Sequence, residues 1–178
     1  MISIVVIFQP GHLSPGFFME IEIRPARIED INDVIRLMRE FAEYERLLDS
    51  FEITAEKLTD AVFGEDAVAK ILVASRLASL VGYALFFPYF ASFRGQRGIY
   101  LEDIYVSRDL RGRGVGERLL RSVAVIARQG GCERIDFQVL EWNQPAIAFY
   151  KKLGAVCKDD ERHYKFSDIA FLALASET

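Results

Sequence analysis

The stretch Tyr100–Leu120, YLEDIYVSRDLRGRGVGERLL, constrains the fold more than any other part of this 178-residue chain. It opens as an apolar strand, Gly98 to Val106. It breaks into a turn of arginines and glycines, then resumes as a helix from Gly114 to Arg128 that Gly130 and Gly131 stop. Two acids, Glu102 and Asp103, stand side by side inside the strand. Adjacent strand residues point to opposite faces, so both can serve one site only if a β-bulge re-aims one of them. A buried carboxylate without a partner is costly. Each therefore needs either a function or a cation, and Arg94, Arg97 and Arg108 are close by in sequence.

The rest of the chain alternates in the same way. Ile21 and Ile23 lie on a first strand ending at Pro25. Ile31, Val34, Ile35, Leu37, Met38, Phe41, Ala42 and Leu48 recur at helical spacing over 28–48. A second helix is predicted at 54–62, opened by Thr54 with Glu56 in its first turn. Strands are predicted at Ala67–Ala74 and Leu77–Phe87, with a turn near Ser75–Arg76, and at Arg134–Leu140, where Ile135, Phe137 and Val139 share a face. Asn143 and Pro145 open a helix to about Lys152, ended by Gly154. Short strands at Ala155–Lys158 and Arg162–Phe166 and a helix at Ser167–Ala175 complete the pattern. Helices alternating with strands imply an α/β or α+β class with a mixed sheet.

The length suits one domain, here expected over residues 19–178. Residues 1–18 are apolar without the cationic start of a secretory signal. They read as an extension, or as a misassigned start with Met19 as the true one. The longest apolar run, Leu80 to Phe87, falls short of the roughly 20 residues of a membrane-spanning helix, so no membrane partner is expected. A net charge of −4 with no basic run disfavours nucleic acid. Cys132 and Cys157 form neither a CxxC pair nor a disulfide framework, and reduced thiols in a cytoplasmic protein are the expectation. No clustered metal ligands occur.

The turn RDLRGRGVGERLL suits an anion. A helix N-terminus presents unpaired N–H groups and partial positive charge, glycines allow close approach, and Arg111 and Arg113 add donors. It is not a phosphate loop of the Gly-Lys-Ser/Thr type, because Glu117 follows Gly116. Neither Gly112 nor Gly114 begins a G-x-G-x-x-G fingerprint. A tight solvated turn remains the alternative at this level.

Arg111-Gly112-Arg113-Gly114-Val115-Gly116 resembles the Q/R-x-x-G-x-G/A loop of the GNAT superfamily of N-acetyltransferases. IRPARIEDINDVIRLMREFAEYE, YLEDIYVSRDLRGRGVG and EWNQPAIAFYKKLGA resemble three blocks of its diamine (spermidine/spermine-type) acetyltransferases and their bacterial relatives, in order over residues 20–158. The resemblance implies a GNAT fold: a twisted mixed sheet of about six to seven strands, flanked by helices on both faces. The sheet would be splayed between Gly98–Val106 and Arg134–Leu140, where acetyl-CoA wedges. It implies acetyl transfer from acetyl-CoA to a small primary amine, without a metal, by a homodimer. By the same resemblance Arg111 to Gly116 hold the pyrophosphate, and Ile104, Tyr105 and Val106 pair with the pantetheine arm like an added strand. Asn143 also contacts that arm. Glu102 is the water-relayed general base, Asp103 helps hold the amine, Tyr44 and Glu45 line the acceptor site, and Tyr150 is the general acid.

Chemistry agrees with those residue types. An alkylammonium has a pKa of about 10, and only its neutral form attacks a thioester, so a base must take the proton. A carboxylate near the cleft also favours a cationic acceptor. Read locally, each has a plainer alternative. Tyr44 and Glu45 fit a solvated helix face, Tyr150 fits the core with Ile147 and Leu153, and Asn143 is a good N-cap.

This chain lacks the family's tryptophans before YLED and near the C-terminus. It has ASFRGQRG, with Phe93, Arg94 and Arg97, and a DDERHYKF tail. Polyamine, diamine and lysine-like acceptors therefore all stay open. Two other readings stand beside this one. A cysteine acyl-enzyme through Cys132 or Cys157 has no evident partner in His12 or His163. A non-catalytic acyl-CoA sensor of the same fold would not need Glu102, Asp103, Asn143 and Tyr150.

Overall fold

The computed structural model describes residues 21–158, 160 and 162–176. The expectation for residues 1–18 falls outside them. The chain forms two compact units, one ending at Gln138 and the other starting at Val139.

The first unit is built on five strands, β1 (Glu22–Pro25), β2 (Lys70–Arg76), β3 (Ser79–Ala91), β4 (Gln96–Val106) and β5 (Arg134–Asp136), in the spatial order β1-β2-β3-β4-β5. The first four are antiparallel, and β4 and β5 are parallel. A parallel pair needs a crossover, which α3 (Val115–Gln129) provides. Its Val115, Leu119, Val123 and Ala127, four residues apart, are all buried. They pack with Leu72, Ala74, Ala84, Phe86, Ile99 and Leu101 on one sheet face. On the other face α1 (Ile31–Glu45) and α2 (Ala55–Phe63) bury Val34, Leu37 and Leu58 against Ile71, Val73, Tyr83 and Tyr105. Thr54 caps α2 as expected, accepting from the Lys57 N–H at 3.3 Å. Arg46, with φ 60°, ends α1.

The ladder between β4 and β5 spans only Gly98–Tyr100 against Arg134–Asp136. β4 continues for six more residues, 101–106, so the sheet opens on that side beyond Tyr100. β5 is shorter than the expected Arg134–Leu140.

In the second unit α4 (Gln144–Lys152) and α5 (Asp168–Ser176) are helical. Residues 155–158 and 162–166, expected as two strands, form no ladder and are almost wholly exposed. The sheet accordingly has five strands rather than six to seven. Alternation in those stretches is too short to specify a strand without a neighbour to pair with.

Candidate active site

β4 carries the first decisive feature. Across β3, Leu85 faces Asp103 and the next pair is Phe86 with Leu101, so Glu102 is an extra residue with no opposite partner. That is a β-bulge, and it resets the alternation of β4. Tyr105 pairs with Tyr83 and lies in the α1/α2 core, and Asp103, two residues earlier, shares its face. Beyond the bulge Tyr100 pairs with Phe87, stacking at 5.3 Å between ring centres. Phe87 is four residues from Tyr83 and on the same face of β3. Glu102, two residues after Tyr100, is exposed, and its charge adds to burial in raising the phenol of Tyr100 and the carboxyl of Asp103. The bulge thus brings Glu102 and Asp103 to one face, while Leu101 and Ile104 turn to the α3 core.

Electrostatics mark the same spot. The fully buried Tyr83 donates its hydroxyl to Asp103 Oδ2 at 2.9 Å. Asp103 is half-buried as a residue, but its carboxyl is enclosed, and loss of water pushes it up to about 6. The Tyr83 hydrogen bond opposes that shift, and the charges of Glu102 and Glu45 add to it. Glu45, in the last turn of α1, is itself raised by burial. Neither Glu102 nor Asp103 pairs with Arg94, Arg97 or Arg108 among the described residues, so the arginine-partner reading fails. Glu102 and Glu45 act on Asp103, and none of the three is in an ion pair among the described residues, so they make a site of negative potential suited to an ammonium.

Beside it Arg111 lies over two rings, 4.5 Å from the centre of Tyr44 and 5.2 Å from that of Tyr105. These are cation–π distances. Its Nε donates to the Val106 carbonyl at 3.0 Å. Tyr105 donates its hydroxyl to Glu40 at 3.3 Å, and Arg36 holds the other oxygen of Glu40 at 2.6 Å. Arg111 therefore links the turn after β4 to the end of α1.

In that turn Gly112 and Gly114 have φ of 71° and 78°, a backbone that costs an L-residue about 1–2 kcal/mol. Gly114 is the N-cap of α3, and Val115 anchors the first turn in the core. The N–H groups of Val115, Gly116 and Glu117 open the helix without intrahelical acceptors. Arg113 is exposed.

Asn143 and Tyr150 belong to the second unit. The Asn143 side chain caps α4, accepting from the Ala146 N–H at 3.3 Å, and is buried. Tyr150 is buried on α4, edge-on to Phe149 at 5.1 Å. Phe93, the aromatic nearest the expected acceptor wall, is fully exposed in the turn joining β3 and β4. Among the described residues no group of three His, Cys, Asp or Glu could hold a metal ion, and no helix is long and apolar enough to cross a membrane.

Tyr83 was missed by sequence reasoning. In LVGYALFF it is one aromatic among core residues, and only the pairing of β3 with β4 sets its hydroxyl against Asp103. A phenol in a strand adjacent to a strand with two acids was the available signal.

A family model described as the acetyltransferase (GNAT) family matches residues 31–155. The thialysine N-epsilon-acetyltransferase of Bos taurus is 40% identical over 141 residues, covering 75% of this chain and 82% of that protein. The human spermidine/spermine N(1)-acetyltransferase-like protein 1 is 33% identical over 144 residues, covering 76% of this chain and 20% of that longer protein. Among solved structures, an integron cassette protein from the mobile metagenome of V. cholerae superposes with a TM-score of 0.75 at 26% identity, covering 89% of this chain and 99% of that one.

Proposed function

This chain belongs to the GNAT family of acetyltransferases, and on that premise we propose that it moves an acetyl group from acetyl-CoA to a primary amine of a small cationic acceptor. The acceptor is a lysine-like amine, a diamine or a polyamine, and transfer is direct, within a ternary complex. The observation that carries this reading is the bulge at Glu102, which sets Glu102 and Asp103 on one face beside Glu45.

In the proposed mechanism the turn from Arg111 to Gly116 receives the pyrophosphate. The backbone of Ile104, Tyr105 and Val106 lies along the pantetheine arm, with Asn143 supporting it. Tyr44, Glu45 and Asp103 hold the acceptor. Glu102 takes the ammonium proton through a water, leaving a lone pair on nitrogen. That lone pair forms the new C–N bond at the thioester carbon, a backbone N–H of β4 supports the oxyanion, and the C–S bond breaks. Tyr150 gives its proton to the departing sulfur, and the second proton of the former ammonium nitrogen passes through water to the Tyr150 phenolate, leaving the neutral amide. A cytoplasmic location and a homodimer are part of the same proposal.

The test is release of free thiol from acetyl-CoA across a panel of thialysine, lysine, diamines and polyamines. Turnover with at least one amine is expected. Binding of acetyl-CoA with no turnover on any of them would favour a non-catalytic acyl-CoA sensor instead. Arg111→Ala is expected to weaken acetyl-CoA binding in calorimetry, and unchanged affinity would remove Arg111 from the pyrophosphate site.

A further inference from the structure

We infer that Tyr83 is a positioning residue for the acceptor. Its hydroxyl fixes the Asp103 carboxylate on the acceptor face and holds it in the ionised form that attracts an ammonium. The inference rests on the proposed acceptor site and deepens it.

Tyr83 pairs across the sheet with Tyr105, and Asp103 stands two residues before Tyr105 on the same face. That diagonal is within reach of a long side chain, and the phenol closes it with a 2.9 Å hydrogen bond. Directly opposite Asp103 is Leu85, which offers no polar group. The Tyr83 bond is the one hydrogen bond that the Asp103 side chain accepts among the described residues.

The charged and titratable groups around this carboxyl are on three elements. β3 contributes Tyr83, β4 contributes Glu102 and Tyr105, and α1 contributes Glu45. One ring further, Glu40 and Arg111 act on Tyr105. Burial and the charges of Glu102 and Glu45 push Asp103 toward the neutral acid, and only the Tyr83 hydroxyl pulls the other way. A carboxyl poised at about 6 is ionised at neutral pH and loses its hold on a cation as the pH falls through that value. Without the phenol the neutral form would persist to higher pH. Tyr83 itself does not titrate in this range, because burial and the adjacent Asp103 raise its phenol well above the ordinary tyrosine value.

The experiment compares wild type, Tyr83→Phe and Asp103→Asn, with folding checked by thermal melts. The Asp103 side-chain carboxyl is followed by carbon-13 NMR against pH, and kcat/KM for thialysine and for spermidine is measured over the same range. In wild type the carboxyl should titrate near 6, and the acid limb of kcat/KM should follow it. In Tyr83→Phe both should move up by about one unit, the size expected for a lost hydrogen bond to a charged group. The kcat/KM for acetyl-CoA at saturating amine and pH 8 should stay near the wild-type value, a split that a general loss of structure would not produce. Asp103→Asn should remove that limb.

An Asp103 midpoint equal in wild type and Tyr83→Phe overturns the inference. So does a limb that stays put while the carboxyl moves, or one that survives in Asp103→Asn. If no amine is acetylated by any of the three proteins, the proposed acceptor is wrong. The NMR titration then still decides whether Tyr83 sets the state of Asp103.

Discussion

Asp103 is destabilising when charged. Its carboxyl moves from an ordinary 3.8 to about 6 on folding, so the native state holds this proton more tightly than the unfolded chain. Its contribution to stability is then fully present below about pH 3.8 and lost as the pH rises through about 6. Asn keeps an acceptor for Tyr83 and carries no charge. Asp103→Asn should therefore raise stability at pH 8, by at most on the order of 3 kcal/mol at 1.36 kcal/mol per unit, with the gain fading as the pH falls from about 6 to about 4. Urea melts at the two pH values check this, and a variant less stable than its parent at pH 8 would show the cost has been misjudged. Tyr150 is tested by turnover. Tyr150→Phe should lower kcat by about tenfold or more, as loss of a general acid does, with little change in acetyl-CoA affinity, and unchanged turnover would remove it as the acid. At this scale the residue types were legible in sequence, since Glu102 and Asp103 break an apolar strand and so announce themselves. Tyr83 does not, because a tyrosine in a buried strand is ordinary and its role lies in a neighbour 20 positions away.

Elements whose signals are local came through closely. The cap at Thr54, the glycine stop after α3 and the Asn143–Pro145 opening of α4 each act within a few residues. Strand limits came through less well. β3 runs to Ala91, through Pro88, where the sequence suggested a stop. The ladder with β2 ends at the Lys70–Phe86 pair, so beyond it β3 is paired on one side only, and there a proline is tolerated. The β2–β3 turn falls at Leu77–Ala78 rather than Ser75–Arg76, with φ of 49° and 65° in a two-residue loop. Positive φ at both positions is the geometry that favours Asn-Gly. Ala78→Gly should raise stability by about 1 kcal/mol, and Leu77→Asn with it should raise the melting temperature further. A fall in melting temperature for the pair would mean the turn is not strained. The bulge at Glu102 was anticipated as a condition: two adjacent acids serving one site require it.

The whole molecule combines a mixed sheet with helices on both of its faces and a chain end that carries much apolar surface. Ile169, Phe171, Leu172 and Leu174 of α5 are all exposed, which supports the proposed homodimer. Sedimentation velocity should give twice the chain mass, and a monomer throughout the micromolar range would exclude it. The sequence by itself determined the class of fold, the order of most elements, the glycine turn that opens α3 and the residue types of the proposed acceptor site. Those follow from hydrophobic period, caps and backbone freedom, all encoded within a few neighbouring positions. Only the tertiary structure decided the number of strands, the face that Glu102 and Asp103 share, and the partner that holds Asp103. Each of these depends on cross-strand register, and one inserted residue in β4 reverses the side to which every later side chain points.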